Sequence, residues 1–256
     1  MGPLCAMLRS LCHHNKGQSI RLFVAHTSLT AQDFEKIEAA LDPSFCKVEN
    51  VHVPADRFPG LPFSDRWPPE ACYRLFAAHI LPKDIDRVLY LDPDIIIIKP
   101  LKELYELDLK GNYYAASTHM ISLLKPISRW RLSLPSGCLY VNSGVLLMDL
   151  EKLRAEQKET DIFDYYEKNK RRIRLFDQDM LNGVYCEKIL HIDPLLYNLD
   201  DRYYLLYQLA TFRKSKKIDL DWVDKNTVIL HYCGRKKPWH DDYPGRFGDY
   251  YHKFSK

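Results

Sequence analysis

The side chains best typed for chemistry in this sequence are Asp92 and Asp94, set on either side of Pro93. The apolar run Arg87-Val88-Leu89-Tyr90-Leu91 drives into the pair, and Ile95 to Ile98 continue beyond it. So short and β-branched a run predicts a strand buried on both faces. Positions i and i+2 share a face on an extended backbone, so both carboxylates can aim at one point. Charge at the mouth of a buried strand is costly unless it is paired or holds a metal. Asp-Pro-Asp is equally good turn chemistry, so the pair alone does not separate a site from a turn.

Ligands of open α/β sheets bind beyond the carboxyl ends of the strands, which selects further candidates. They are Asn142-Ser143-Gly144, Asp177-Gln178-Asp179, and His231 with the loop Gly234-Arg235-Lys236-Lys237. Asp92, Asp94 and His231 would make a mixed oxygen and nitrogen site suited to Mn²⁺ or Mg²⁺, with positions left for substrate oxygens. Lys237, a strongly hydrated point charge, would suit a diphosphate beside it. Each element also has an ordinary reading. A histidine at a strand end can be merely hydrogen-bonded, and Arg235-Lys236-Lys237 can be a solvated face. Asn-Ser-Gly is common turn material, and Asp177 can cap a helix.

The elements that must position these groups alternate. A helix is predicted from Pro3 to His14, a strand from Ile20 to Ala25, and a helix from the capping box at Thr30 to Leu41. Val48 to Val53 alternates as a strand, and Pro68-Pro69-Glu70 opens a helix to Ile80 after a proline-rich loop. Beyond the Asp92 strand come a strand from Tyr113 to Ser117 and a basic loop over 118–136. An apolar stretch from Leu139 to Met148, helices near 150, 160–170 and 177–184, and a strand ending at His231 follow. This order implies an α/β chain with a mostly parallel sheet between helices, and nothing in it marks a second domain within 1–256. A net charge of +3 makes no case for nucleic acid, and no apolar run is long enough to span a bilayer. Seven scattered cysteines without C-x-x-C spacing argue against a disulfide framework and for a reducing, cytoplasmic setting.

Taken together the motifs resemble a family. Tyr73-Arg74-Leu75, Val88 to Asp94, Tyr140 to Leu150, Asp177 to Asn182 and His231 to Trp239 follow the order and approximate spacing of the retaining glycosyltransferases of family 8. That group includes glycogenin and the bacterial lipopolysaccharide α-galactosyl- and α-glucosyltransferases. The resemblance implies a GT-A fold and a hexosyltransferase moving galactose or glucose from a UDP-sugar to a saccharide or glycoconjugate acceptor. By position, Asp92, Asp94 and His231 are the implied metal ligands, and Asp92 also approaches the ribose. Arg74, Asn142, Asp177 and Gln178 are implied contacts to the donor sugar or its phosphates, with Gly234 and Lys237 forming the diphosphate loop. Gln178 sits by the anomeric carbon in the family. As a neutral group it suits stabilising an oxocarbenium-like state, with Asp179 as the fallback nucleophile. Family members usually open with a strand bearing an Asp and a Tyr that cradle the nucleotide. The present chain starts at the helix after it, which implies a fold lacking that strand and a base pocket partly open.

Two other functions compete. A haloacid-dehalogenase-like phosphatase could use Asp92 and Asp94, but it leaves His231 and Lys237 unexplained. A protein that binds nucleotide sugars with little turnover is the other. The aromatic stripe Phe247, Tyr250, Tyr251 and Phe254 reads as core packing, with a weak peripheral contact to the inner membrane surface as the lesser alternative. The acceptor would be held by the loops 54–67 and 118–136.

Overall fold

A computed structural model describes residues 1–64, 67–118, 125–210 and 218–256. Its strands are β1 (Ile20–His26), β2 (Cys46–His52), β3 (Arg87–Leu91), β4 (Ile95–Ile97), β5 (Tyr114–Ala116), β6 (Val145–Asp149), β7 (Ile189–His191) and β8 (Ile229–His231). The capping box at Thr30 forms as expected, starting the helix Ala31–Ala39, and the opening helix spans Gly2–His14. β7 and the helix Asp201–Ala210 fall in stretches whose sequence carried no periodic signal strong enough to place them.

The α/β class holds, but the sheets are mixed rather than mostly parallel. β1–β2 and β5–β7 are parallel pairs, whereas β3–β6, β5–β6 and β4–β8 are antiparallel. Alternation of strands with helices allows parallel crossovers, yet strand direction is decided by the edge on which each strand lands. β6 enters between β3 and β5 and runs against both.

The Asp92 stretch is likewise two strands. β3 ends at Leu91, Asp92-Pro93-Asp94 turns, and β4 joins β8 instead of β6. β4 is fully buried, but every position of β3 is only half-buried. Val88 and Tyr90 pack into one core and Leu89 and Leu91 into another, so both faces are covered. The remaining exposure comes from its outer edge, where a groove of about 400 Å³ lies between Leu22 and Phe23 of β1 and Val88 and Leu89 of β3.

Two strand registers bring distant residues to this turn. In the β3–β6 ladder, Leu91 faces Val145 and the amide of Asp92 donates to the Gly144 carbonyl at 2.9 Å. In the β4–β8 ladder, Ile95 faces His231 and the Tyr232 amide donates to the Asp94 carbonyl at 2.9 Å. The turn thus sits where the chain leaves one sheet for another.

Three local expectations change. The helix expected from Pro69 to Ile80 is broken into Pro69–Cys72, a 3₁₀ turn Tyr73–Leu75 and Ala77–Ile80. The 118–136 stretch is not all loop: it holds the helix Lys125–Leu132, while 119–124 lie outside the described residues. Cys138 and Cys186, far apart in sequence, form a disulfide with Cα atoms 5.6 Å apart, while Cys5, Cys12, Cys46 and Cys72 are free and buried. Phe247, Tyr251 and Phe254 are buried in the core, so the tail spends its apolar surface on packing. No helix among the described residues is long and apolar enough to cross a membrane.

Ile96 is wholly buried in β4 and anchors the segment that carries the turn. Ile96→Ala should lower the unfolding free energy by about 3 kcal/mol in urea titrations with the slope unchanged. A loss below about 1 kcal/mol would show that β4 does not anchor the turn.

Candidate active site

One cavity of about 310 Å³ collects most of the candidates. Arg74, Asp92, Asp94, Asn142, Asp177, Gln178 and His231 all line it. Asp92 and Asp94 come from the β3–β4 turn, Asn142 from the entry to β6, and Arg74 from the 3₁₀ turn. Asp177 and Gln178 open the helix Phe176–Tyr185, and His231 ends β8. Gly234 lines a neighbouring cavity of about 350 Å³ that shares His231 and Cys233 with the first. Lys237 places its ammonium on Asp94 Oδ2 and also donates to the Tyr232 carbonyl at 2.6 Å.

Arg74 is the buried cation of this cluster. Its guanidinium reaches Asp92 Oδ1 at 3.0 Å and Asp177 Oδ2 at 3.3 Å. It also donates to the Ser143 carbonyl at 2.9 Å and the Ala71 carbonyl at 3.1 Å, and stacks over the Tyr90 ring at 4.5 Å. Burial works against its charge, but Asp92, Tyr90 and Asp177 outweigh that and keep the guanidinium protonated. The Tyr90 hydroxyl donates to Asp92 Oδ1 at 2.6 Å, and the Ser143 hydroxyl donates to Asp177 Oδ2 at 2.7 Å. Burial raises the Asp94 carboxyl, but His231 and Lys237 prevail and hold it well below the usual carboxylate range.

The orientation of His231 follows from a chain of amides whose first link is unambiguous. The Gly144 backbone N–H can only donate, so the Asn142 atom 2.9 Å away is its oxygen. The Asn198 atom 3.0 Å from that oxygen must then be its NH₂. Asn198 therefore turns its oxygen to His231 Nδ1 at 2.8 Å, and Nδ1 carries the proton. His231 Nε2 is left pointing at Asp94 Oδ1 at 3.2 Å and Asp92 Oδ2 at 3.8 Å. Two carboxylates brought so close to one ring nitrogen call for positive charge between them, a proton on Nε2 or a metal ion in its place. One oxygen from each aspartate and the ring nitrogen lie within 4.8 Å of one another, so these residues fit a divalent ion. The same chain reaches the other end of the cavity, where Asn142 Nδ2 donates to Gln178 Oε1 at 3.1 Å.

Asp179 departs from the role of fallback nucleophile. It is wholly buried and absent from the cavity wall. Helical rotation turns it away from Asp177, two positions earlier, into a cage of donors. Arg131 grips it at two points of 2.7 Å, the Tyr140 hydroxyl donates at 2.6 Å, and the Arg174 and Leu175 amides donate at 2.7 and 3.0 Å. Burial raises this carboxyl, yet Arg131 and the other donors hold it below its ordinary value. Asn198, Tyr90 and Arg131 were not predicted. Tyr90 could have been found two positions before Asp92 on the same strand face. Nothing in the spacing pointed to Asn198. His119, near the position that the family resemblance implies faces the donor sugar, lies outside the described residues.

Gly144 is required by close approach. A Cβ there would lie 2.3 Å from His231 Cε1 and 2.6 Å from Asp92 Oδ2. Gly144→Ala should therefore weaken Mn²⁺ binding, read by electron paramagnetic resonance, by about tenfold or more. Unchanged affinity would mean the two ligands can part without loss. Asp179→Ala should cost about 3 kcal/mol by stranding Arg131 and two amides. Because the folded carboxyl is depressed, its stabilisation is complete above the unfolded value of about 4 and is lost as pH falls further. Asp179→Asn should accordingly show a shallower fall in stability than the parent as pH drops below about 4. Parallel acid limbs would remove Asp179 as a source of acid sensitivity.

With the geometry in view, the chain can be set beside known proteins. GlyE of Streptococcus pneumoniae is 27% identical over 250 residues, covering 97% of this chain and 56% of GlyE. A lipopolysaccharide 1,2-glucosyltransferase of Escherichia coli K12 is 29% identical over 209 residues, covering 81% of this chain and 60% of that protein. The chain thus spans little more than half the length of these curated relatives. The galactosyltransferase LgtC, crystallised with donor and acceptor sugar analogues, superposes with a TM-score of 0.85 at 23% identity, covering 99% of this chain and 91% of LgtC. That likeness establishes the GT-A fold. The model of glycosyl transferase family 8 matches residues 2–243, and the chain belongs to that family.

Proposed function

We propose that this protein transfers a hexose, galactose or glucose, from a UDP-sugar to a saccharide or glycoconjugate acceptor, with retention at the anomeric carbon. The observation that carries this reading is one cavity in which a three-ligand metal cradle and the Asp177-Gln178 pair are joined by the amide chain through Asn142 and Asn198. Family membership and the names of the relatives support it.

A bound Mn²⁺ or Mg²⁺ would supply positive charge to the diphosphate leaving group. Asp92, Asp94 and His231 would hold it, with Nε2 kept as the ligating nitrogen by Asn198. Gly234 lines the neighbouring cavity, where the diphosphate would run, and Lys237 stands beside the cradle with its ammonium on Asp94. Asp177 and Asn142 would take hydroxyls of the donor sugar, with Arg74 fixing Asp92 and Asp177 from beneath.

Gln178 is neutral and held at its oxygen by Asn142, so it suits stabilising developing positive charge at the anomeric carbon. A double displacement needs an available carboxylate nucleophile, but Asp179 is locked away in the Arg131 cage and Asp177 is engaged by Arg74 and the Ser143 hydroxyl. Departure and attack on the same face of the sugar follow. The phosphatase reading would need Asp92 free as a nucleophile, but its Oδ1 accepts from both Tyr90 and Arg74.

A panel of UDP-sugars with Mn²⁺, scored for donor hydrolysis without acceptor, tests the reading. One UDP-hexose should be hydrolysed, and the activity should vanish in Asp94→Ala and His231→Ala. UDP binding without hydrolysis of any donor would point to a binding protein instead. Gln178→Ala should lower kcat by about 100-fold with little change in donor KM. A mainly KM effect would assign Gln178 to binding.

A further inference from the structure

A larger cavity of about 700 Å³ shares Arg174 with the donor cavity. Its wall comes from the helix Lys125–Leu132, the residues just after it, and the loop preceding Phe176. Arg129, Arg131, Arg171, Arg172 and Arg174 line it beside Trp130, and among the described residues no acidic side chain does. Like charges crowded in this way repel. Asp179, the carboxylate paired with Arg131, is buried and does not line the bowl.

Several of these donors are set in advance. Arg172 Nη1 donates to the Ser133 hydroxyl at 2.7 Å, and Arg131 is fixed by its two-point pair. Arg129 Nε is buried without a hydrogen-bond partner among the described residues. Guanidinium groups grip phosphate or carboxylate in a planar, two-point fashion, and prior fixing lowers the entropy lost on binding. Trp130, 85% exposed, offers a broad flat ring at the rim on which a sugar could lie. The arginines close around one bowl instead of forming a stripe, which suits a compact anion better than a nucleic acid strand.

We propose that this bowl is an acceptor subsite for an anionic group, phosphate or carboxylate, carried by the glycan beside the sugar that receives the hexose. Arg174 is the shared wall, so a glycan with its attacking hydroxyl at Gln178 would extend past Arg174 into the bowl. The role as an acceptor subsite rests on the transferase reading; the preference for anions does not.

The test titrates the 256-residue chain by calorimetry, without donor or metal, against methyl α-glucoside, its 6-phosphate and methyl α-glucuronide. At least one charged probe should bind about tenfold more tightly than the neutral one, as a charge-assisted contact supplies. Whichever charged probe gains identifies the group. Arg171→Glu and, separately, Arg129→Gln should erase the difference, with thermal melts confirming that each variant is folded. Equal affinity for all three probes, or a preference surviving in both variants, overturns the proposal. UDP-sugar hydrolysis run in parallel keeps the two readings apart. Hydrolysis without an anion preference overturns the subsite alone, and an anion preference without hydrolysis overturns the transferase reading alone.

Discussion

Two carboxylates and one imidazole must be held at a single point, and the rest of the site is arranged around that requirement. Left alone, Asp92 and Asp94 would repel each other across a partly buried turn. Arg74 and Tyr90 secure Asp92 from one side, and Lys237 secures Asp94 from the other. The oxygens that remain face His231. Because these partners come from separate elements, the cluster also ties those elements together. The 3₁₀ turn, the turn between β3 and β4, the loop after β8 and the helix Phe176–Tyr185 all contribute a charge to one network.

Side-chain amides carry the order across the cavity. Gly144 does two things here: it leaves room for His231 and Asp92, and its N–H sets the sense of every amide from Asn142 to Asn198. The tautomer of His231 at one end and the presentation of Gln178 at the other follow from that single backbone donor. Neutral groups suit the task, since they fix the orientation of His231 and Gln178 without adding charge to the cavity.

Asp179 illustrates how a carboxylate in a reactive-looking motif can serve as scaffold. Its cage draws Arg131 from the helix Lys125–Leu132 and two amides from the loop before Phe176 onto one buried anion. That contact assembles the arginine-lined bowl and fixes the start of the helix that carries Asp177 and Gln178. The donor side and the bowl are therefore built on the same buried ion pair.

From the sequence alone, the family motifs, the α/β class and seven of the residues that line one cavity (Arg74, Asp92, Asp94, Asn142, Asp177, Gln178 and His231) could be read. They depend on local run lengths, residue types and the order in which these recur. The acidic pair was legible as both a turn and a candidate site; it forms the turn between β3 and β4, and both carboxylates line the cavity that gathers the other candidates. Strand direction, the split of the Asp92 stretch between two sheets, and the Cys138–Cys186 bridge were not legible, because each depends on which distant edge or side chain a segment meets. The same holds for Asn198, 33 positions from His231 and 56 from Asn142. Sequence spacing located Asp177, Gln178 and Asp179 together, but helical rotation sent the first two to the cavity and the third to Arg131. The sequence determined which groups the site would be made from. Only the tertiary structure decided which way they face, because hydrogen-bond direction and burial are set by neighbours remote along the chain.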